Sequence, residues 1–264
     1  MKVKSSRYWD RALSLVDGCT HAGSIGCDHC WSMAMNKRFG KWPEKVTPRP
    51  DRLDIPLKTK KPTVFALWND LFHEDVSLGF ICDVFDVIDR CSQHTFLILT
   101  KRAQRMLTAW DYLGMSDDAP SLNNFQFDNI WSGLTVCNQP ELDSKMSYFL
   151  RVPGHKWLSI EPMLGPIDLT DYLVNEHLGP DPYESQEEFY QRLNERINAV
   201  VVGCETGPHR RPCKLDWIRS IVEQCKTAGV SVFVKQIEIN GKVVYELEQF
   251  PEDLRVRDLP WRVK

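Results

Sequence analysis

Short apolar runs alternate along the chain with segments in which apolar residues recur every three or four positions. The runs are typical of buried strands, whereas the longer spacing is typical of helices that pack on a sheet. The pattern predicts strands at 12–16, 63–68, 94–100, 129–136, 156–160, 199–203 and 230–234. It predicts helices at 31–39, 76–90, 102–112, 140–150, 181–196 and 215–227. The polar segments 42–62 and 115–128 are expected to be loops.

Strands that alternate with helices imply a parallel sheet of the α/β class. Six or seven such units favour a partial (β/α) barrel of the triosephosphate-isomerase type, with an open doubly wound sheet as the alternative. We expect the barrel to span 1–240 and a C-terminal extension, 241–264, to pack on it. Asn240-Gly241 predicts a tight hairpin at this boundary. No glycine-rich dinucleotide fingerprint follows the first strand, which weighs against a nicotinamide enzyme.

Composition narrows the class of protein. A chain of 264 residues with 42% hydrophobic and 26% charged residues is ordinary for a globular protein. The net charge of −3 gives no general attraction to nucleic acid or to membranes. The first six residues lack the apolar segment of a signal peptide, and no apolar run is long enough to span a bilayer. We therefore expect a cytoplasmic location and no membrane partner.

Nine cysteines without a secretion signal indicate metal or redox chemistry in a reducing compartment. Three of them, Cys19, Cys27 and Cys30, lie in one glycine-rich loop with the spacing C-x7-C-x2-C. Such a loop can hold zinc, with His21 or His29 as the fourth ligand. It can equally hold an iron–sulfur cluster in which one iron lacks a protein ligand. Three unrelated buried thiols are the plain alternative.

Polar residues follow the carboxyl ends of the predicted strands, where barrel enzymes keep their working residues. Seven converging strand ends would line a single polar cavity. Taken one at a time, these residues have plainer roles, because an aspartate can cap a helix and a lysine can simply be solvated. In chain order they are Asn69, Asp70, His73, Thr100, Lys101, Arg102, Thr135, Asn138, Ser159, Glu161, Glu205, Thr206, Lys235 and Gln236.

The order of several short motifs resembles a family of phage and prophage proteins related to radical S-adenosylmethionine (SAM) enzymes. The cysteine loop has the family's GC followed by GCxxC, with Trp31 where tyrosine is usual. The later motifs are DLFH at 70–73, LTKR at 99–102, GLTV at 133–136 with Asn138-Gln139, SIEP at 159–162, GCETGP at 203–208 and FVKQ at 233–236. Cys137 and Cys204 stand where glutamate and glycine are expected. The cysteine spacing also differs from the commonest radical SAM motif, CxxxCxxC.

The resemblance implies a radical SAM-like partial barrel with a [4Fe–4S] cluster on Cys19, Cys27 and Cys30. SAM would bind the open iron, and its reductive cleavage would give a 5′-deoxyadenosyl radical. The residues implied around SAM are Asn69, Asp70, Thr135, Asn138, Ser159 and Glu161. The implied substrate residues are Lys101, Arg102 and Gln236, and the implied catalytic residues are Cys204, Glu205 and Lys235. A thiol at Cys204 is a good hydrogen-atom donor, with outward packing against a helix as the alternative.

The same resemblance implies SAM, an external electron donor and a nucleotide or DNA substrate as partners, in a bacterial host cell. An amino-acid-modified thymidine of phage DNA, rearranged by an isomerase reaction, is the leading substrate. Arg102, Arg105, His209, Arg210 and Arg211 could meet its phosphates or could be solvated surface. Two further classes stay open. One is a zinc-stabilised nucleic-acid-binding protein without catalysis, and the other is an iron–sulfur protein that forms no radical.

Overall fold

The computed structural model describes residues 6–40, 42–115, 127–173 and 196–261. The described chain folds as two compact units. The N-terminal unit runs from Trp9 to Leu134. The C-terminal unit comprises the residues from Thr135 onward together with the segment that ends at Tyr8.

The N-terminal unit is built on four parallel strands. In spatial order they are β1 (Arg11–Leu13), β4 (Val64–Leu67), β5 (Thr95–Thr100) and β6 (Ile130–Thr135), of which the last residue, Thr135, is counted with the C-terminal unit. Two shorter strands, β2 (Val16–Asp17) and β3 (Thr47–Pro48), pair antiparallel as a separate ribbon. Every residue of β4 and β6 is buried, as expected for strands of a parallel sheet covered on both faces.

The described part of this unit contains four α-helices. They are α1 (Trp31–Arg38), α2 (Asp54–Lys58), α3 (Leu78–Asp89) and α4 (Ala103–Met115). The Oγ of Ser77 caps α3 by accepting a hydrogen bond from the Phe80 amide at 3.2 Å. α3 then buries an apolar stripe that includes Phe80, Val84 and Ile88, whereas α1 buries none of its residues.

Among its described residues, the C-terminal unit has three parallel strands in the order β7 (His155–Ile160), β8 (Ala199–Gly203) and β9 (Ser231–Ile239). β10 (Lys242–Val244) pairs antiparallel with β9. Asn240 and Gly241 connect them, both with positive φ angles of 49° and 72°. Two left-handed residues in a two-residue loop are typical of a hairpin turn, as the sequence predicts. The α-helices among the described residues of this unit are α5 (Gln139–Phe149) and α6 (Leu215–Thr227).

A cluster of aromatic rings forms part of the core of the C-terminal unit. The Tyr8 ring lies edge-on to Trp157 at 5.6 Å, to Phe233 at 5.9 Å and to Trp261 at 6.3 Å, measured between ring centroids. The indole Nε1 of Trp261 donates a hydrogen bond to the backbone oxygen of Tyr8 at 2.9 Å. Residues 253 positions apart in the chain are thus held together in this unit.

The prediction of an α/β protein with mostly parallel strands is confirmed in each unit. The strand orders of both units are open among the described residues, so no closed barrel is shown. The strands near 63–68, 94–100, 129–136, 156–160 and 199–203 are confirmed, as are the helices near 31–39, 76–90, 102–112, 140–150 and 215–227. The predicted helix at 181–196, except for its last residue, and most of the loop at 115–128 lie outside the described residues.

Three predictions about elements are wrong. The strand expected at 12–16 is two strands, because the carbonyls of Ser14 and Leu15 accept hydrogen bonds from Arg52 Nη1 and the Arg49 amide. The segment 42–62 is not only a loop, since it contains β3 and α2. The last strand continues to Ile239 because β10 extends its pairing beyond the parallel part.

Among the described helices, none combines the length and the apolar character needed to cross a membrane.

Candidate functional site

The cysteine loop begins at Gly18, directly after β2, and ends where α1 begins. Gly18 has a φ of +79°, and an added Cβ would lie 2.2 Å from the carbonyl oxygen of Lys45, so only glycine fits. The Oγ of the buried Ser24 accepts a hydrogen bond from the Gly26 amide at 3.2 Å. This contact starts a 3-10 turn at Ile25–Cys27. Local contacts of the chain itself therefore hold the loop in a defined turn.

The three thiols of this loop, Cys19, Cys27 and Cys30, are free and half-buried. Burial raises the pKa of the Cys19 thiol, and the Asp70 carboxylate raises it further. Among the described residues, no three His, Cys, Asp or Glu side chains form a group that could hold a metal ion. The donor set nevertheless matches the chemistry of a three-thiolate cluster site. Ligation would require the loop to draw the three Sγ atoms together.

Arg102 connects the cysteine loop to the ends of the strands. Its Nη1 donates to Asp70 Oδ2 at 2.8 Å and to Cys19 Sγ at 3.8 Å. Its Nη2 donates to the backbone oxygen and the Oγ1 of Thr20, both at 3.2 Å. Its Nε donates to Glu74 at 2.8 Å. All five N–H donors of this guanidinium are therefore engaged, and the side chain is buried.

Asp70 is the buried carboxylate that forms an ion pair with Arg102. It follows β4, and its Oδ1 accepts hydrogen bonds from Thr100 Oγ1 at 2.7 Å and from the Phe72 amide at 3.1 Å. Thr100 is the last residue of β5, and its Oγ1 also accepts from the Arg102 amide at 2.9 Å. Within this unit, polar residues after adjacent strands thus meet at one sheet edge, as expected for carboxyl ends of parallel strands. We call Cys19, Thr20, Asp70, Glu74, Thr100 and Arg102 the Arg102 cluster.

His73 is buried beside this cluster. The Asp75 amide donates to His73 Nδ1 at 3.1 Å, so the proton of the neutral ring lies on Nε2. His73 Nε2 then donates to Thr20 Oγ1 at 2.6 Å. The Thr20 hydroxyl is accordingly held by both His73 and Arg102. His73 acts here as a second support of the cysteine loop.

Asn69 links α1, the helix that follows the cysteine loop, to the ribbon of β2 and β3. Its backbone has a positive φ of 64°, which asparagine tolerates better than most residues. Its Nδ2 donates to the backbone oxygen of Val16 at 2.6 Å, and its Oδ1 accepts from Ser32 Oγ at 2.9 Å. Lys101 is half-buried and forms no hydrogen bond or ion pair with the other described residues. The assignments of Asn69 and Asp70 to SAM, and of Lys101 and Arg102 to substrate, stay predictions.

His21, one of the two candidate fourth ligands for zinc, is engaged within the loop. The Gly23 amide donates to His21 Nδ1 at 3.1 Å, and His21 Nε2 contacts Asp28 Oδ1 at 3.0 Å. Both ring nitrogens therefore have partners. Zinc binding through His21 would have to break one of these contacts.

The C-terminal unit has a second polar cluster, centred on Glu161. Lys235 Nζ contacts the two carboxylate oxygens of Glu161 at 2.6 and 2.9 Å, and Gln236 Nε2 donates to one of them at 2.8 Å. Gln236 Nε2 also donates to the backbone oxygen of Cys204 at 2.7 Å. We call Glu161, Cys204, Lys235 and Gln236 the Glu161 cluster. It gathers residues that follow β7 and β8 with residues of β9.

A register shift explains how two consecutive residues reach the same carboxylate. Val234 pairs with Val202, but Gly203 pairs with Gln236, so Lys235 is an extra residue in β9. Consecutive side chains of a regular strand point to opposite faces, and a bulge removes this alternation. The bulge lets both Lys235 and Gln236 contact Glu161.

Gln236 is fully buried, yet its hydrogen-bonding capacity is not filled. Its Oε1 has no hydrogen-bond partner among the described residues. Gly203 makes room for the amide, because an added Cβ there would lie 2.9 Å from Gln236 Nε2. A buried acceptor without a partner is costly and often marks a functional position. This oxygen can accept a hydrogen bond from a ligand.

The buried Glu205 forms a separate ion pair with the half-buried Arg211 in the same unit. Glu205 Oε2 accepts hydrogen bonds from the Arg211 amide at 2.7 Å and from Arg211 Nε at 3.0 Å. Arg210 donates to the backbone oxygen of Gly241. In the N-terminal unit, Arg105 Nη2 donates to the Val76 carbonyl at 3.1 Å. The arginines considered for phosphate contacts are thus engaged by the chain itself.

Cys204 is fully buried directly after β8. Burial raises the pKa of its thiol to about 12, and Cys213 and Glu161 add to this shift. Burial raises the pKa of Cys213 to about 12 as well. Both thiols are therefore protonated near neutral pH, so neither is an activated nucleophile. A protonated thiol is the form that can donate a hydrogen atom.

The remaining predicted residues lie in the C-terminal unit. Asn138 caps α5, since its Oδ1 accepts from the Glu141 amide at 3.0 Å. Thr135 and Ser159 are buried, and the Ser159 carbonyl accepts from the Val136 amide at 3.1 Å. The roles of Thr135, Asn138 and Ser159 toward SAM stay predictions.

Sequence reasoning missed three participants in these clusters. Thr20 lies inside the cysteine loop, in which the sequence singles out only the cysteines and histidines as metal-ligand candidates. Glu74 follows DLFH directly, and its negative charge is the only feature of the sequence that could have indicated a contact with Arg102. Tyr8 precedes all recognised motifs, yet its ring lies 5.9 Å from Lys235 Nζ, and burial with the nearby Glu161 raises its pKa.

Taken separately, the units are mostly parallel α/β sheets with polar clusters at the carboxyl ends of their strands. The chain matches the model of the family described as "Protein of unknown function (DUF5131)" over residues 5–248, and it therefore belongs to the DUF5131 family. Comparisons with curated proteins and with solved structures found no match. The family description gives no activity, so the resemblance to radical SAM-related phage proteins stays a prediction.

Proposed function

We propose that this protein is a radical SAM enzyme with a radical SAM-like partial barrel and a [4Fe–4S] cluster held by Cys19, Cys27 and Cys30. The observation that carries the proposal is the cysteine loop. It is glycine-rich, it presents three half-buried thiols, and its own contacts fold it. When bound, the cluster would supply the electron that cleaves SAM to a 5′-deoxyadenosyl radical.

The Arg102 cluster would support this loop. Arg102 carries a buried positive charge 3.8 Å from Cys19 Sγ, and a cation beside a thiolate stabilises it. Asp70 and Thr100 fix the guanidinium from the strand ends. Asn69 and Asp70 are the proposed contacts of the SAM amino group, because amide and carboxylate oxygens accept hydrogen bonds from an ammonium. Lys101 is a proposed substrate residue.

The C-terminal unit would contribute the remaining groups. Glu161, with Thr135, Asn138 and Ser159, is proposed to bind SAM, and Glu205 and Lys235 are proposed to act on the substrate. Gln236 Oε1 could accept a hydrogen bond from the N–H edge of a base, which agrees with a nucleotide or DNA substrate. Cys204, protonated at neutral pH, is the proposed hydrogen-atom donor.

The test is the metal content and the SAM chemistry of anaerobically purified protein. We expect a brown protein with about four irons per chain, as a four-iron cluster requires. Replacing Cys19, Cys27 or Cys30 by alanine should abolish iron binding, whereas Cys225→Ala, which changes a buried thiol of α6, should not. The reduced protein should convert SAM to 5′-deoxyadenosine.

Two results would contradict the proposal. Stoichiometric zinc without iron would indicate the zinc-stabilised, non-catalytic alternative. An iron-loaded, reduced protein that leaves SAM intact with several reductants would indicate an iron–sulfur protein that forms no radical.

A further inference from the structure

Helix α1 presents an apolar stripe to solvent. It is the only described α-helix that buries none of its residues. Trp31, Met35 and Phe39 follow one another at a spacing of four, so they lie within about 80° of each other around the helix and its C-terminal end. Their exposed fractions are 51%, 39% and 70%. A large exposed apolar stripe on one helix face is typical of a surface that a partner covers.

Neighbouring residues enlarge this surface. Trp42 is 77% exposed, and Ile25, in the turn of the cysteine loop, is 37% exposed. The Trp31 ring is held edge-on by Trp68 at a centroid distance of 5.0 Å. We call Ile25, Trp31, Met35, Phe39 and Trp42 the α1 face.

The chain segment that contains α1 has a charge opposite in sign to that of the whole chain. Glu44 is the only acidic residue between Trp31 and Pro50, a segment whose five basic residues are Lys37, Arg38, Lys41, Lys45 and Arg49. Lys37, Arg38 and Lys45 are exposed. Since the chain as a whole carries a net charge of −3, this segment is a local basic region. Charge complementarity therefore favours an acidic partner.

The α1 face is continuous with the cysteine loop. Cys30 is the residue that precedes α1, and Trp31 is the first residue of the helix. A protein that covers this face is therefore placed against the thiols that the proposed function assigns to a redox-active group. The face also contains the non-aromatic side chains of Ile25 and Met35, which can pack against a protein but cannot stack on bases.

We propose that the α1 face docks an acidic one-electron carrier protein of the flavodoxin or ferredoxin kind. The inference rests on the proposed function. The carrier would lose one electron, and the group on the cysteine loop would gain it. Apolar contacts with the α1 face would provide affinity, and Lys37, Arg38 and Lys45 would steer the acidic carrier to it.

The first experiment measures binding by calorimetry, using the purified full chain and two acidic probes, a flavodoxin and a two-iron ferredoxin. We expect at least one to bind at low salt, with weaker binding as salt is raised. The double variant Lys37→Glu/Arg38→Glu and the single variant Phe39→Ser should each weaken binding about tenfold or more. Matched controls are Lys60→Glu/Lys61→Glu and Leu57→Ser, whose residues are exposed outside the α1 face and which should bind like the unmodified chain.

The second experiment follows the reduction of iron-loaded protein by stopped-flow absorption. The α1 variants should be reduced about tenfold more slowly by the carrier that binds. They should be reduced at the normal rate by dithionite, a small reductant that needs no docking surface. Their iron content should be unchanged.

Several results would overturn the proposal. One is that neither carrier binds the unmodified chain at low salt, and another is that the α1 variants bind as well as the controls. A single-stranded oligonucleotide that competes for the α1 face would indicate a nucleic-acid interface. A dimer in sedimentation that Phe39→Ser dissociates would indicate a second copy of the chain. If the protein takes up no iron, the proposed function fails, and the calorimetric result still decides whether the surface binds acidic carriers.

Discussion

The two polar clusters differ in how completely their hydrogen-bonding atoms are engaged. In the N-terminal unit, Arg102 uses all five N–H donors and Asp70 accepts three hydrogen bonds. In the C-terminal unit, Gln236 is just as buried, but its Oε1 has no partner among the described residues. A filled network stabilises a conformation, whereas an unfilled acceptor can take a ligand. The Arg102 guanidinium is therefore suited to holding the cysteine loop, and the Gln236 amide to binding a ligand.

The largest expected effect comes from breaking the filled network. Arg102→Gln would leave the buried Asp70 without its cation, which typically costs about 3–5 kcal/mol. Urea unfolding followed by tryptophan fluorescence measures the loss. The control is Arg105→Gln, which removes a hydrogen bond to the Val76 carbonyl and should cost only about 1 kcal/mol. Equal losses in the two variants would show that the Arg102 network does not stabilise the unit more than a single contact does.

In the Glu161 cluster, an apolar replacement of Gln236 should cost less stability than the loss of Arg102 costs in the Arg102 cluster. Gln236→Met removes two hydrogen bonds but also removes the unpartnered Oε1, so the net loss should be about 1 kcal/mol. Gln224 is the matched control, because its Oε1 accepts from the Leu169 amide and its Nε2 donates to the Ile167 carbonyl and to Ser220. Gln224→Met should cost about 2 kcal/mol. A larger loss for Gln236→Met would mean that Oε1 has a partner in solution.

The last prediction involves no loss of stability and concerns the rates at which thiols of the metal-free protein are labelled. Cys204 and Cys213, with pKa values raised to about 12, should have about one thiolate in ten thousand at pH 8. Iodoacetamide at this pH should therefore modify the half-buried Cys27 and Cys30 first, as mass spectrometry of peptides would show. Labelling of Cys204 should increase only as the pH approaches 12 or after unfolding. Rapid labelling of Cys204 at pH 8 would exclude a buried, protonated thiol.

The sequence was sufficient for most of the fold, because each long element has a clear apolar period. The strand at 199–203 and the helix at 215–227 have the predicted bounds. The division of the first strand was not predictable, since it depends on Arg49 and Arg52, more than thirty residues away. Local patterns do not report such distant hydrogen bonds.

For the candidate site, chain order predicted which residues follow the strands but not how they pair. Within each unit, the residues after adjacent strands do meet, as Asp70 with Thr100 and Glu161 with Gln236 show. The hydrogen bonds of Arg102 could not be predicted, because an LTKR motif is equally typical of the solvent-exposed start of a helix. The contact between Lys235 and Glu161 depends on a bulge, which no residue type announces.

The contact between Tyr8 and Trp261 has a consequence for how the protein is made. The N-terminal unit, from Trp9 to Leu134, is one continuous stretch that leaves the ribosome as a whole. The C-terminal unit contains Tyr8. Its backbone oxygen can accept the hydrogen bond from the indole of Trp261 only after that residue, 253 positions later in the chain, has been synthesised. Since domains generally fold as units while the chain is still growing, the N-terminal unit can fold first. Tyr8 then lacks its partner Trp261 on the nascent chain until most of its own unit has been translated.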